Sequence, residues 1–138
     1  MTAYVDSSVV LRLALGEPGT LREWPSIRSA VASALLEVEC LRTLDRLRVR
    51  AALSDRVLAV RREAVFRLLE LVDVVELTRP VLARAAQPMP TELGALDAIH
   101  LATALLWRER TGSDMVMATH DAALGTAARA FGLSVVGV

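Results

Sequence analysis

The 138-residue chain has no lysine, no asparagine and a single cysteine. Without a lysine ε-amine it cannot be a Walker-type phosphate-loop protein, a Schiff-base enzyme or a phosphoryl-receiver domain. Lysine and asparagine share A-rich codons, so their joint absence points to a GC-rich genome, and all 16 basic residues are arginine. The lone Cys40 excludes an internal disulfide and a thiolate zinc site. Long apolar runs are missing too. Mean hydropathy is high at +0.42, yet the longest stretch free of Asp, Glu and Arg is the ten residues 98–107. A membrane-spanning helix needs about 20. The N-terminus has no basic start, and Asp6 and Arg12 interrupt any signal-peptide core. A cytoplasmic protein with no membrane partner is therefore expected.

What is present suits one folded domain, residues 1–138: 54% of the chain is apolar and 23% charged, enough to build a core. The formal charge is zero, but the charges are unevenly placed. Residues 42–67 hold eight Arg against Asp45, Asp55 and Glu63, and the remainder holds eight Arg against thirteen acids. A basic stripe beside an acidic remainder suits an anionic partner near a cation site; it equally suits a helix face paired with its own acids. Trp24 and Trp107 fit interface anchors or core packing.

The apolar periodicity alternates strand and helix. Strands are expected at Ala3–Val5, Ser29–Ala32, Val74–Leu77, Met115–Ala118 and Ser134–Val138. Helices are expected from Ser7 or Ser8, as cap, to Leu15, from Ala34 to Arg48 with Ser33 as cap, and from Asp55 to Leu71 with Ser54 as cap. Others should follow Thr78 and span Leu96–Arg110 and Asp121–Phe131. The order implies an α/β/α sandwich around a mainly parallel sheet.

Ligands of such sheets sit outside the carboxyl ends of the strands. Asp6 ends the first strand and Asp121 follows the fourth, though either could simply cap a helix. Asp97 lies in a helix apolar on nearly every face, where an unpaired carboxylate is costly. Glu39 shares a helix with the apolar Leu36, Cys40 and Leu44; it could pair with Arg42, and Glu37 is its rival. Acids gathered without basic partners are reconciled by a divalent cation, and all-oxygen ligands suit Mg²⁺ or Mn²⁺. His100 reads as a hydrogen-bonded core residue and His120 as an exposed loop residue.

Four segments, Tyr4-Val5-Asp6-Ser7-Ser8, Glu37-Val38-Glu39-Cys40-Leu41-Arg42, Leu96-Asp97-Ala98-Ile99-His100-Leu101-Ala102 and Ala118-Thr119-His120-Asp121, together resemble the PIN-domain nucleases. The similarity spans essentially the whole chain and is greatest to the VapC toxins of type II toxin–antitoxin pairs. The resemblance implies a Mg²⁺- or Mn²⁺-dependent endoribonuclease, with Asp6, Glu39, Asp97 and Asp121 as its acidic site and Asp6 and Asp97 as direct metal ligands. Ser8 and Thr119 match the hydroxyl positions that orient the site. It further implies an RNA substrate such as tRNA, a small antitoxin partner and a homodimer. A PIN-fold binding module without catalysis is the alternative, and the presence of all four acids argues against it. A haloacid-dehalogenase-type phosphohydrolase is excluded, because Asp6 is followed by Ser7-Ser8 rather than x-Asp and no lysine exists.

Overall fold

Short apolar segments form strands, and the amphipathic stretches between them form helices, in a computed structural model that describes residues 1–138. The order is β1 (Thr2–Val5), α1 (Ser7–Ala14), a 3₁₀ turn (Trp24–Ser26), β2 (Ser29–Ser33), α2 (Leu35–Ala51), α3 (Asp55–Leu69), β3 (Val72–Val75), α4 (Arg79–Ala85), α5 (Ala95–Thr111), β4 (Val116–Ala118), α6 (Ala122–Ala130) and β5 (Ser134–Val136). The sheet order is β3-β2-β1-β4-β5 and every pairing is parallel. The expected mainly parallel sheet is thus wholly parallel.

Alternation along β1 builds the two halves of the core. Ala3 and Val5 pack with Val9, Val10, Leu36 and Leu44 from α1 and α2, joined by Val65 of α3. Tyr4 points to the other face, among Leu101, Leu105, Met117 and Leu124 of α5, β4 and α6. Trp24 and Trp107 are each half-buried against one of these clusters. The chain leaves β1 toward α1 on one face and leaves β4 toward α6 on the other. β1 and β4 are neighbours, so a crevice opens between their carboxyl ends, the position where open α/β sheets bind ligands.

Three local expectations are corrected. The cap of α1 is Asp6, not Ser7 or Ser8. Ser33 is the last residue of β2, although its Oγ still accepts the Leu35 N–H at 3.2 Å. The third strand begins at Val72, where it pairs with Ala30, and ends at Val75, two residues earlier than expected. Ser54 does cap α3, accepting the Val57 N–H at 3.2 Å, and Pro80 sits in the first turn of α4.

Candidate active site

Asp6 stands where β1 turns into α1. Its Oδ1 accepts the Ser8 hydroxyl at 2.6 Å and the Val9 N–H at 3.3 Å, and its Oδ2 accepts the Thr119 hydroxyl at 2.6 Å. Only 4% of the residue is exposed, and these donors offset the cost of burying the anion. A carboxylate has about four acceptor positions; the protein fills three, leaving one on Oδ2.

The two hydroxyls work in both directions. Ser8 Oγ also accepts the His120 N–H at 2.8 Å, and Thr119 Oγ1 accepts the Asp121 N–H at 2.9 Å. The turn from β4 into α6 is thereby tied to Asp6. Asp121 caps α6, its Oδ1 accepting the Leu124 N–H at 2.8 Å. Both acids therefore serve as helix caps at the carboxyl ends of the adjacent strands β1 and β4. His120 is half-buried rather than exposed, with Nδ1 3.0 Å from the Gly137 carbonyl.

Asp97 occupies the first turn of α5 and is half-buried. Its carboxyl is held above the ordinary carboxylate range. Desolvation is the largest cause, followed by the charge of Asp121; Asp6 and Glu39 add smaller effects in the same sense, and His100 opposes them. The other three acids thus all act on Asp97.

Glu39 reaches the same region from α2. Its Oε2 is 2.5 Å from Nε2 of His100, and its side chain is 14% exposed. The pair with Arg42 does not form, because Arg42 bonds to Asp45 at 2.9 Å. Glu37 is exposed and is not among the charges acting on Asp97. His100 is a hydrogen-bonded core residue, 1% exposed, with Nδ1 2.8 Å from the Tyr4 hydroxyl. The role of Tyr4 is invisible in the sequence: it looks like one more strand residue, and nothing links it to a histidine 96 positions away. Cys40 lies buried one residue after Glu39, and its thiol is pushed up to about 12 by desolvation and then by Glu39 and Asp6. It stays protonated and is no nucleophile.

No three His, Cys, Asp or Glu side chains converge on one point as a ready-made cage. Mg²⁺ does not require one, since it usually takes one or two protein carboxylates and keeps several waters. Asp6, held by three donors with one acceptor position open, and Asp97, raised by desolvation and by the charges of the other three acids, are a donor set that fits such a cation.

The fold is an all-parallel α/β/α sandwich with carboxylates at the carboxyl ends of β1 and β4, and the PIN domain pattern matches residues 3–130. The chain belongs to the PIN domain family. It is homologous to ribonuclease VapC46 of Mycobacterium tuberculosis, 36% identical over 137 residues that cover 96% of this chain and 95% of the relative. Ribonuclease VapC47 of the same species is 34% identical over 108 residues, 73% of each chain. Among solved structures, a chain of VapBC-1 from nontypeable Haemophilus influenzae superposes with a TM-score of 0.61 at 15% identity, covering 98% of this chain and 96% of that one. That likeness establishes the fold. No helix is long and apolar enough to cross a membrane.

Proposed function

We propose that this VapC-type ribonuclease hydrolyses RNA phosphodiester bonds with a Mg²⁺ or Mn²⁺ ion held by Asp6 and Asp97, and that Glu39 and Asp121 complete the acidic ring. The observation that carries the reading is the Asp6 carboxylate, fixed by Ser8, Val9 and Thr119 with one acceptor position left open; in support, the Asp97 carboxyl is raised first by desolvation and then by the charges of Asp121, Asp6 and Glu39. Such mutual repulsion is relieved by a bound divalent cation. When bound, the cation lowers the pKa of a water ligand and neutralises charge on the phosphodiester.

The residues divide the work. Asp6, fixed by three donors, offers its free Oδ2 position as a rigid ligand. Asp97 supplies the second carboxylate from α5. Glu39 and Asp121 accept hydrogen bonds from water, and either can take the proton of the water that attacks phosphorus. A hollow of about 300 Å³ shares Glu39 with the acids and has Arg42 and Arg46 in its wall. Of these, Arg46 bonds only to Thr43, at 3.0 Å, and no acid competes for its charge. RNA phosphates, with structured RNA such as tRNA as the substrate class, would follow that wall to the metal. The kinship with VapC proteins also supports a type II toxin role, with a small antitoxin covering the site and a homodimeric assembly.

The test is cleavage of RNA by the purified protein. Cutting should require Mg²⁺ or Mn²⁺, stop with EDTA and be abolished in Asp97→Asn without loss of fold. Glu39→Gln should lose far more activity than Glu37→Gln. Undiminished cutting by Asp97→Asn would remove the four-acid site. Failure of the wild-type protein to cut any RNA with either ion would favour the non-catalytic binding module.

A further inference from the structure

We propose that Tyr4 and His100 are positioning residues for Glu39: the phenol holds the imidazole in its Nε2–H tautomer, and the imidazole holds one oxygen of the carboxylate. This rests on the reading that Glu39 belongs to the acidic site.

The two residues sit at a buried junction of the elements that carry the acids. Tyr4 lies in β1, two residues before Asp6. Its hydroxyl oxygen accepts the N–H of Ser33 at 3.0 Å, where β2 ends just before α2, the helix of Glu39. His100 lies on α5, three residues beyond Asp97 and so on nearly the same face. Tyr4 is fully buried and His100 is 1% exposed, so no water competes for their hydrogen bonds.

Proton counting sets the polarity. A phenol has one hydrogen to donate and lone pairs to accept with. The Ser33 N–H takes a lone pair, and the hydrogen goes to His100 Nδ1 at 2.8 Å. Nδ1 is then an acceptor, so the imidazole hydrogen sits on Nε2 and is donated to Glu39 Oε2 at 2.5 Å. The reverse polarity, with Nδ1–H donating to Tyr4, needs either a protonated Glu39, which discards the carboxylate's charge, or an imidazolium donating from both nitrogens, which turns the phenol hydrogen away from His100. In the forward polarity Glu39 keeps its charge and is fixed through Oε2, while Oε1 is free for water or a cation. A glutamate on a helix surface otherwise samples several rotamers, and outer partners that orient a ligand contribute through that order. The edge-on contact of the two rings, with centroids 5.9 Å apart, would survive in Tyr4→Phe, so that variant separates packing from the hydrogen bond.

The test uses ¹⁵N NMR of the histidines in the metal-free protein, together with steady-state cleavage. In the wild type, His100 should show an unprotonated Nδ1 and a protonated Nε2. In Tyr4→Phe the tautomers should mix, and kcat should fall by about tenfold or more with KM little changed, as for other outer partners of metal ligands. Mg²⁺ binding by calorimetry should weaken in parallel. His100→Gln, whose amide can still donate to Glu39, should keep more activity than His100→Ala. A protonated Nδ1 in the wild type, or an unchanged kcat in a folded Tyr4→Phe, overturns the proposal. If Tyr4→Phe does not fold, equal loss in His100→Gln and His100→Ala overturns it. The tautomer is read without metal or RNA, so it stands or falls separately from cleavage: undiminished cutting by Asp97→Asn would sink the site and leave the tautomer measurement intact.

Discussion

Thr119 donates its hydroxyl hydrogen to Asp6 at 2.6 Å across 113 positions of sequence, and the same oxygen accepts the N–H of Asp121 at 2.9 Å. One buried hydroxyl therefore sets the spacing between two of the four acids. It also joins the ends of two adjacent parallel strands, so its loss acts on the site and on the sheet together.

Thr119→Val keeps the shape and removes both bonds. It should lower stability by about 1–3 kcal/mol, the cost of leaving buried polar groups unpaired, and reduce cleavage beyond what that instability explains. Thr119→Ser keeps the oxygen and should recover most of both. Urea unfolding and RNA cleavage, measured on all three proteins below their transition temperatures, decide the matter. Equal behaviour of the Val and Ser variants would reduce Thr119 to a packing residue.

The raised carboxyl of Asp97 makes stability depend on pH in a defined direction. Its folded value lies above its unfolded one, so between the two the native state binds more protons than the unfolded chain. Stability then falls as pH rises through that window and levels off above it. Asp97→Asn has no such dependence, so its advantage over the wild type should open across the window and persist at neutral pH in metal-free buffer. Mg²⁺ should close the gap, because only the wild type gains binding energy from it. A difference independent of pH and of Mg²⁺ would count against the electrostatic account.

The basic stripe proves to be half committed. Arg42 and Arg48 both bond to Asp45, at 2.9 and 3.1 Å, and Arg67 bonds to Glu63 at 2.6 Å. Arg61 donates to the Leu15 carbonyl at 2.7 Å. Replacing Arg46 and Arg50 by Gln should weaken RNA binding and flatten its salt dependence, by about 0.7 in the logarithmic slope for each phosphate no longer neutralised. Metal affinity should not change. Arg42→Gln with Arg48→Gln should do less, since Asp45 already neutralises much of their charge. An unchanged slope in the first pair would leave the stripe as a solvated helix surface.

Ala52, just past α2, has φ 49° and ψ 46°, a left-handed conformation that costs an L-residue about 1–2 kcal/mol. Glycine adopts it freely but loses more chain entropy on folding, by about 0.4–1 kcal/mol. Ala52→Gly should therefore gain about 0.5 kcal/mol, seen as a higher urea midpoint with an unchanged slope. Cleavage should be unaffected, because Glu39 lies thirteen residues away, about 20 Å along the helix.

Local signals carry the alternation of strand and helix and the residue types of the acidic set. Capping chemistry locates α3 through Ser54 and α4 through Pro80. Where local chemistry is ambiguous, structure and sequence part. Three hydroxyls and one carboxylate compete to cap α1 and α2, and only packing shows that Asp6 wins while Ser8 turns its hydrogen toward it. Leu71 to Val75 is nearly continuous in apolar character, so periodicity does not set where β3 begins; pairing with β2 does. No glycine follows α2 to mark its end, which is why it runs three residues past Arg48. The link from Tyr4 through His100 to Glu39 bridges separations of 96 and 61 positions, and no pattern in a single sequence encodes contacts that distant.

The strand order has a consequence for the protein's birth. β1 is made first, but β4, its partner on the crevice side, is residues 116–118, and Asp121 follows it. Asp6 and Asp121 therefore emerge at opposite ends of synthesis of the sheet's first four strands. Domains fold as units as they leave the ribosome, and here the unit cannot close around its crevice until β4 is out. Every residue from the end of β1 to the start of β4 must therefore be synthesised before the two strands can pair and bring Asp6 and Asp121 to the same end of the sheet.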